Sequence, residues 1–99
     1  MGVGLRDLGR LDEAEVSYRQ AIAIRPTFAE AHSNLGNILL ALDRSENAEA
    51  SLRQAITLKP DLAEAHYNLG DALKALNKID EARESYQQAI SIKPDYAKA

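Results

Sequence analysis

One stretch of eight residues recurs in this chain of 99 residues, and that recurrence constrains the fold more than any other feature. The letters AEAHSNLG at residues 29–36 return as AEAHYNLG at residues 63–70, an offset of 34. When residues 29–62 are aligned with residues 63–96, 18 of the 34 positions are identical. A repeat of this length predicts a stacked array of helical units, in which each unit contacts mainly its neighbours.

The period divides the chain into a single array of unequal parts. Residues 1–28 are a partial first repeat, 29–62 and 63–96 are full repeats, and 97–99 are the stub of a further repeat. Residues 1–8 align with the back half of the first helix in the later units, so we expect the first repeat to open in mid-helix. Its second helix is predicted over residues 11–24.

Apolar spacing and proline positions predict the helices. Ala14, Tyr18, Ala21 and Ile22 recur at i, i+4, i+7 and i+8, which places them on one helical face. A proline closes each repeat and disfavours helical geometry in the residue before it. The predicted helices of the full repeats cover residues 28–42, 45–58, 62–76 and 79–92. Turns this short make each pair of helices antiparallel neighbours, so the predicted fold class is all-α.

Polar residues near the helix starts have the spacing of a capping box. Glu30 follows Thr27 by three residues, and Glu64 follows Asp61 in the same way. We therefore expect Thr27 and Asp61 to accept hydrogen bonds from otherwise unpaired backbone N–H groups. The same logic is repeated by Asp43 with Glu46 and by Asn77 with Asp80.

Glycine marks one place where two helices are expected to come close. Gly36 and Gly70 share a position inside the first helix of each full repeat. Glycine destabilises a helix interior by about 0.5–1 kcal/mol relative to alanine, unless close packing compensates. We therefore expect a neighbouring helix to pack directly over both residues.

Composition argues against several classes of function. The net charge is −3 and the 12 Lys and Arg residues are scattered, so we expect no nucleic-acid partner. There is no cysteine, and hence no disulfide and no thiol nucleophile. No stretch approaches about 18 apolar residues, so we expect no membrane partner and a cytoplasmic location. His32 and His66 lack a recurring third ligand, so we expect them to serve packing, with no metal, no cofactor and no catalytic role.

Taken together, these positions resemble the tetratricopeptide repeat (TPR) family. The resemblance rests on Asn-Leu-Gly in the first helix, Ala, Tyr or Leu and Ala in the second, and the closing Lys-Pro or Arg-Pro. It departs at His32 and His66, where the family most often carries tryptophan or another aromatic residue. The resemblance implies a right-handed α-solenoid of antiparallel helix-turn-helix repeats, a superhelix whose first helices line a concave groove. It also implies a non-catalytic scaffold that holds a partner peptide in that groove.

If the first helices face inward, nine polar residues are expected to line the groove and contact a peptide. They are Glu30, Ser33, Asn34, Asn37, Glu64, Tyr67, Asn68, Asp71 and Lys74. Asn34 and Asn68 repeat at the same position, and an amide both donates and accepts hydrogen bonds, so the pair suits a peptide backbone of any sequence. The alternative is that these asparagines tie neighbouring helices together. Glu30, Glu64 and Asn68 also replace the lysines and arginine with which some family members grip C-terminal carboxylates, so we expect neutral or basic peptides.

The sequence also allows two other interpretations. The chain is also compatible with the repeat arm of a larger enzyme, such as a glycosyltransferase. The third interpretation is a self-associating structural array, because an array without capping elements exposes apolar surface at its ends. Such a homo-oligomer would form end to end, or as a swapped dimer that completes the first repeat.

Overall fold

The computed structural model of the protein describes residues 5–94 and the side chains of residues 9–94. Within that range the chain forms helices and turns and contains no strand. The five helices are α1 (Leu5–Ile24), α2 (Ala29–Ala41), α3 (Ser45–Leu58), α4 (Ala63–Ala75) and α5 (Ile79–Ile92). The all-α fold is confirmed, and the predicted limits of α3 and α5 are correct to the residue. The stub predicted at 97–99 lies outside the described residues.

Two helical hairpins, α2–α3 and α4–α5, make up most of the fold. Each hairpin turns at a residue in the left-handed region, Asp43 (φ 61°) in the first and Asn77 (φ 63°) in the second. The Arg44 N–H donates to the carbonyl of Leu39 at 2.8 Å, which closes the Schellman motif that commonly ends a helix. The equivalent bond in the second hairpin also measures 2.8 Å. These turns reverse the chain within three residues, 42–44 and 76–78, and make the paired helices antiparallel.

The curvature of the array follows from which helices meet. The first helices of successive repeats, α2 and α4, pack against each other. Within the described residues the backbones of α3 and α5 do not approach each other, and the long side chains of Arg53 and Glu81 span the gap with an ion pair of 3.9 Å. The first helices are therefore closer together than the second helices. Such an array is concave on the side of α2 and α4, which is the side that the sequence predicted.

The core lies between the two layers of helices and consists mainly of leucine and alanine. Leu39, Leu52 and Leu73 are almost completely buried. The predicted close approach is confirmed at both glycines. A Cβ added to Gly36 would lie 2.5 Å from Cγ of Leu52, and one added to Gly70 would lie 2.7 Å from the ring of Tyr86. Each hairpin is therefore packed across a glycine, which leaves no room for a larger residue without movement.

The capping prediction is wrong. The residue preceding α2 is Phe28 and the residue preceding α4 is Leu62, and neither helix start has a side-chain cap. The cause is a tight turn, in which the Phe28 N–H donates to the carbonyl of Arg25 at 3.1 Å. This turn places Thr27 before the capping position, and the sequence around Asp61 forms the same turn. The starts of α3 and α5 also lack side-chain caps, so the pairs Asp43–Glu46 and Asn77–Asp80 do not cap either.

The predicted start of the second helix in the first repeat is also wrong. That helix was expected to begin at Leu11, after a turn equivalent to those at Asp43 and Asn77. Instead α1 runs without interruption from Leu5 to Ile24 through the equivalent position, Gly9. Within the described residues no glycine has a positive φ. The first repeat therefore does not form a hairpin as the later repeats do.

Ion pairs join successive repeats at equivalent places. Glu15 of α1 pairs with Arg44 at 3.0 Å, and Glu49 of α3 pairs with Lys78 at 3.2 Å. Each carboxylate also binds an arginine one turn along its own helix, at 2.9 Å for Glu15 and 2.8 Å for Glu49. These hydrogen bonds, first those from Arg19 and Arg53, hold the pKa of both carboxyl groups below their usual range. At these equivalent positions the carboxylate belongs to the earlier repeat and the cation to the later one, whereas the longer pair of Arg53 with Glu81 (3.9 Å) has the opposite order.

Candidate peptide-binding face

The nine residues expected to line the groove belong to α2 and α4, the helices on the concave side. We call these nine residues the inner face. Seven of them are exposed or half-buried: Glu30, Asn34, Asn37, Glu64, Tyr67, Asp71 and Lys74. Ser33 and Asn68 are only 2% and 8% exposed, so the prediction that they are exposed is wrong. The sequence indicated that these residues share the first helices, but not which polar positions are covered by neighbouring side chains.

Ser33 differs from the rest of the inner face because its hydroxyl is buried and has no hydrogen-bond partner. Among the described residues it is the only one with a buried side-chain oxygen or nitrogen that lacks a hydrogen-bond partner. An unsatisfied buried hydroxyl destabilises a fold by about 1–3 kcal/mol. Because this oxygen is inaccessible, Ser33 cannot contact a ligand without movement of its neighbours.

Tyr67, Asp71 and Tyr86 form one cluster at the side of α4 that faces α5. The rings of Tyr67 and Tyr86 meet edge to face with centroids 5.4 Å apart, and the Tyr86 hydroxyl donates to a carboxylate oxygen of Asp71. Burial, together with the negative charge of Asp71, raises the pKa of Tyr86 well above its usual range. The phenol therefore stays protonated and keeps donating, which fixes the position of Asp71 on the inner face.

Tyr86 is the residue that the sequence analysis missed at this site. It lies on the second helix of its repeat, where only core residues were expected, and its ring crosses Gly70 to reach Asp71. One signal was available in the sequence. The equivalent residue of the preceding repeat is Leu52, so a tyrosine there adds a hydroxyl that needs a partner when it is half-buried.

The hydrogen bonds of Asn34 and Asn68 bear on the alternative in which this pair ties neighbouring helices together. If these residues tied helices together, their amides would bond to neighbouring groups. Within the described residues, neither amide makes a hydrogen bond to another part of the chain. Asn34 is half-buried, and Asn68 as a whole residue is 8% exposed. Both retain the capacity to donate and accept.

The charge of the inner face is predominantly acidic. Glu30, Glu64 and Asp71 carry carboxylates, whereas Lys74 is the only cation among the nine residues. Glu30 is partly neutralised by Lys59, whose ammonium lies 3.6 Å away, with both side chains about half exposed. An exposed pair of this kind contributes little, and salt screens it further. A ligand therefore meets a surface with a net negative charge.

The two histidines have a structural role. The Nε2 atom of His32 lies 2.9 Å from the carbonyl oxygen of Pro26, and that of His66 lies 2.8 Å from the carbonyl oxygen of Pro60. A carbonyl oxygen only accepts, so Nε2 carries the proton in both rings. Each histidine thus bonds the first helix of one repeat to the proline that closes the preceding repeat.

The described residues offer little for a metal site or a membrane span. No group of three or more His, Asp or Glu side chains in residues 9–94 is placed to hold a metal ion. No helix in the described part of the chain is long and apolar enough to cross a membrane. An open pocket of about 650 Å³ lies on the opposite side of the array, where α3 and α5 diverge over His66 and Leu69 of α4.

Comparison with known proteins identifies the class and then the family. The class is an α-solenoid of helical hairpins, as the geometry above defines it. A family profile described as "TPR repeat" matches residues 4–43 and 36–77, and one described as "Tetratricopeptide repeat" matches residues 63–96. The chain belongs to the tetratricopeptide repeat family. A search of curated proteins found no match.

Solved structures of other proteins share the fold. The first TPR of Spaghetti (RPAP3), bound to HSP90 peptide SRMEEVD, has a TM-score of 0.85 at 26% identity and covers 87% of this chain and 68% of that chain. The second TPR of the same protein, bound to the same peptide, has a TM-score of 0.83 at 26% identity over 86% of this chain and 79% of that one. MamA has a TM-score of 0.79 at 23% identity, with 91% and 53% covered. This chain therefore spans about half the length of the MamA chain.

Proposed function

We propose that this chain is a non-catalytic scaffold that binds an extended peptide segment of a partner protein along the inner face. The observation that carries the proposal is the pair of unsatisfied amides, Asn34 and Asn68, repeated on adjacent first helices. Two domains of similar fold were solved with a peptide bound, which supports the same class of ligand. Backbone recognition by amides requires no particular peptide sequence, so specificity comes from the other inner-face residues.

The charge of the inner face sets the class of peptide. The HSP90 peptide of the similar structures, SRMEEVD, has three acidic residues and one arginine. Glu30, Glu64 and Asp71 would repel such a sequence. A neutral or basic peptide avoids this repulsion, and the preference amounts to about a tenfold difference in affinity at most, because exposed charges are screened over roughly 8 Å at physiological salt.

Binding of fluorescent peptides to the whole chain tests this proposal. The probes are SRMEEVD, its neutral analogue SRMQQVN and its basic analogue SRMKKVK, followed by an array of extended sequences. We expect the order basic, neutral, acidic, with a difference that shrinks as salt is raised. Tightest binding of SRMEEVD would refute the charge assignment and leave the groove itself untouched.

Two asparagine substitutions test the groove itself. Asn34→Ala is expected to weaken binding by about fivefold to tenfold for each lost hydrogen bond of about 1 kcal/mol. The matched control is Asn47→Ala, an exposed asparagine on α3 that lies off the inner face. Equal affinities for both variants would place the peptide elsewhere and refute the proposed site. Circular dichroism of each variant verifies that the fold is retained.

We also propose a cytoplasmic location and no nucleic-acid partner. The negative net charge and the absence of a basic stripe support the second point, because phosphate-binding surfaces depend on clustered Lys and Arg. Retention of the chain by a heparin or DNA column at physiological salt would contradict it.

A further inference from the structure

Tyr67, Asp71 and Tyr86 bring two aromatic rings and a carboxylate together beside the groove, and we call these three residues the aromatic–acidic cluster. Tyr67 and Asp71 are four residues apart on α4, so their side chains leave the helix on the same side. Tyr86 reaches both from α5, with its ring edge to face with that of Tyr67 and its hydroxyl bonded to Asp71. All three residues are half-buried, so each remains partly accessible to a ligand.

The carboxylate of Asp71 is held in place and still has room for a further partner. The hydroxyl of Tyr86 donates to one of its two oxygens, and a carboxylate accepts hydrogen bonds at both. None of the ion pairs among residues 9–94 involves Asp71. Lys74, three residues further along α4, is exposed and takes part in none of them either. The negative charge of Asp71 is therefore available to a cation from outside the chain.

The preceding repeat lacks this combination of groups. At the equivalent positions it carries Ser33, Asn37 and Leu52. None of these three residues has a charge or an aromatic ring, and only Asn37 is exposed. A peptide that crosses both α2 and α4 therefore meets such a cluster once, over α4.

We propose that the aromatic–acidic cluster binds one cationic side chain, lysine or arginine, of the peptide held on the inner face, an inference that rests on the proposed function. Asp71 supplies the opposite charge. The ring of Tyr67 attracts an ammonium or guanidinium group placed over its face within about 6 Å of the ring centre, and the apolar stem of the same side chain packs against the aromatic surface. Tyr86 holds Asp71 beside the rings through its hydrogen bond.

Peptides that differ by one lysine test whether there is a single cation site. The probes are the amidated, N-terminally labelled peptides SQMQQVN, SQMKQVN and SQMKKVN, and fluorescence anisotropy measures their binding to the natural chain. We expect the first lysine to tighten binding roughly threefold to tenfold, as one partly exposed cation–π contact and one screened charge pair allow. The second lysine should add less than about twofold, because it meets only the general acidity of the inner face. Equal gains from the two lysines would overturn the single site.

Asp71→Asn separates the charge of the cluster from the net charge of the chain. Asparagine keeps an acceptor for Tyr86 but has no charge, so the gain from the first lysine should fall roughly twofold to fivefold. The matched control is Glu84→Gln, which removes an exposed carboxylate of α5 beside the pocket on the opposite side of the array. This control should keep the gain of the natural chain. The same gain in both variants would overturn the role of Asp71.

Substitutions of Tyr67 test the aromatic part of the cluster. Tyr67→Leu keeps apolar volume without a ring, so the gain from the first lysine should fall roughly twofold to fivefold, whereas Tyr67→Phe keeps the ring and should retain the gain. Circular dichroism verifies that both variants are folded. An unchanged gain in Tyr67→Leu would overturn the aromatic contribution.

The same peptides distinguish failure of the cation site from failure of the proposed function. If none of the three peptides bound the natural chain, the proposed function and the cation site would both be overturned. If all three bound with equal affinity, the peptide-binding function would stand and the cation site alone would be overturned.

Discussion

Gly36→Ala tests whether a glycine in the hairpin core is a packing requirement. The added Cβ would lie 2.5, 2.7 and 3.2 Å from three carbons of Leu52, which is fully buried. Carbon atoms prefer separations of about 3.5–4.0 Å, so the side chain or the helix must move by roughly 1 Å. Overpacking of this kind destabilises a fold by about 1–3 kcal/mol, whereas alanine favours a helix over glycine by up to about 1 kcal/mol.

Gly9→Ala is the matched control because it provides the same gain in helix propensity without a clash. A Cβ at Gly9 meets nothing within 4 Å, so we expect a gain in stability of up to about 1 kcal/mol. The difference between the two variants isolates the overpacking contribution of about 1–3 kcal/mol. Urea unfolding followed by circular dichroism, at one fixed protein concentration, measures both. Equal stabilisation by the two substitutions would refute the argument from the Leu52 contact.

Three further predictions concern single hydrogen bonds and charges. His66→Phe keeps an aromatic ring but loses the bond to the carbonyl of Pro60, so the free energy of unfolding in urea should fall by about 1 kcal/mol, and an unchanged value would contradict the structural role. Tyr86→Phe should destabilise the chain by about 1 kcal/mol through loss of the bond to Asp71. In a pH titration followed by tyrosine absorbance, this variant should lack the tyrosine that loses its proton at the highest pH. The pKa of Glu49 is lowered in the fold, so the unfolded chain binds more protons and stability falls as pH drops below about 4.5. Glu49→Gln should therefore be less stable than the natural chain at neutral pH, and its free energy of unfolding should depend less on pH. Parallel plots of the free energy of unfolding against pH for the two proteins would contradict this.

Much of the fold could be predicted because a repeated sequence reports each element twice. The limits of α3 and α5 follow from apolar spacing and from the prolines. The helix starts could not be predicted in the same way. A capping box requires the polar residue to stand immediately before the helix, and the turn that begins at Arg25 moves that place to Phe28. Residue type alone does not show this shift of one residue.

The candidate site was less predictable than the fold, because side-chain burial depends on neighbours that are distant in sequence. Ser33 and Tyr67 occupy the same position in successive repeats, yet Ser33 is buried and Tyr67 is only half-buried. The bond between Tyr86 and Asp71 joins two helices and has no counterpart in the preceding repeat, where the residues are Leu52 and Asn37. A pattern derived from repetition cannot indicate what differs between its copies.

The charge order at the junctions has a consequence for how far such an array can grow. Glu15 and Glu49 face the cation of the following repeat, but the third equivalent residue is Arg83. Another molecule added beyond α5 in the same register would bring Arg10 to that place. Two guanidinium groups would then meet where every internal junction joins opposite signs, and like charges repel. This repulsion disfavours linear polymerisation in that register, whereas an element with a carboxylate at that point would restore the pairing of the internal junctions.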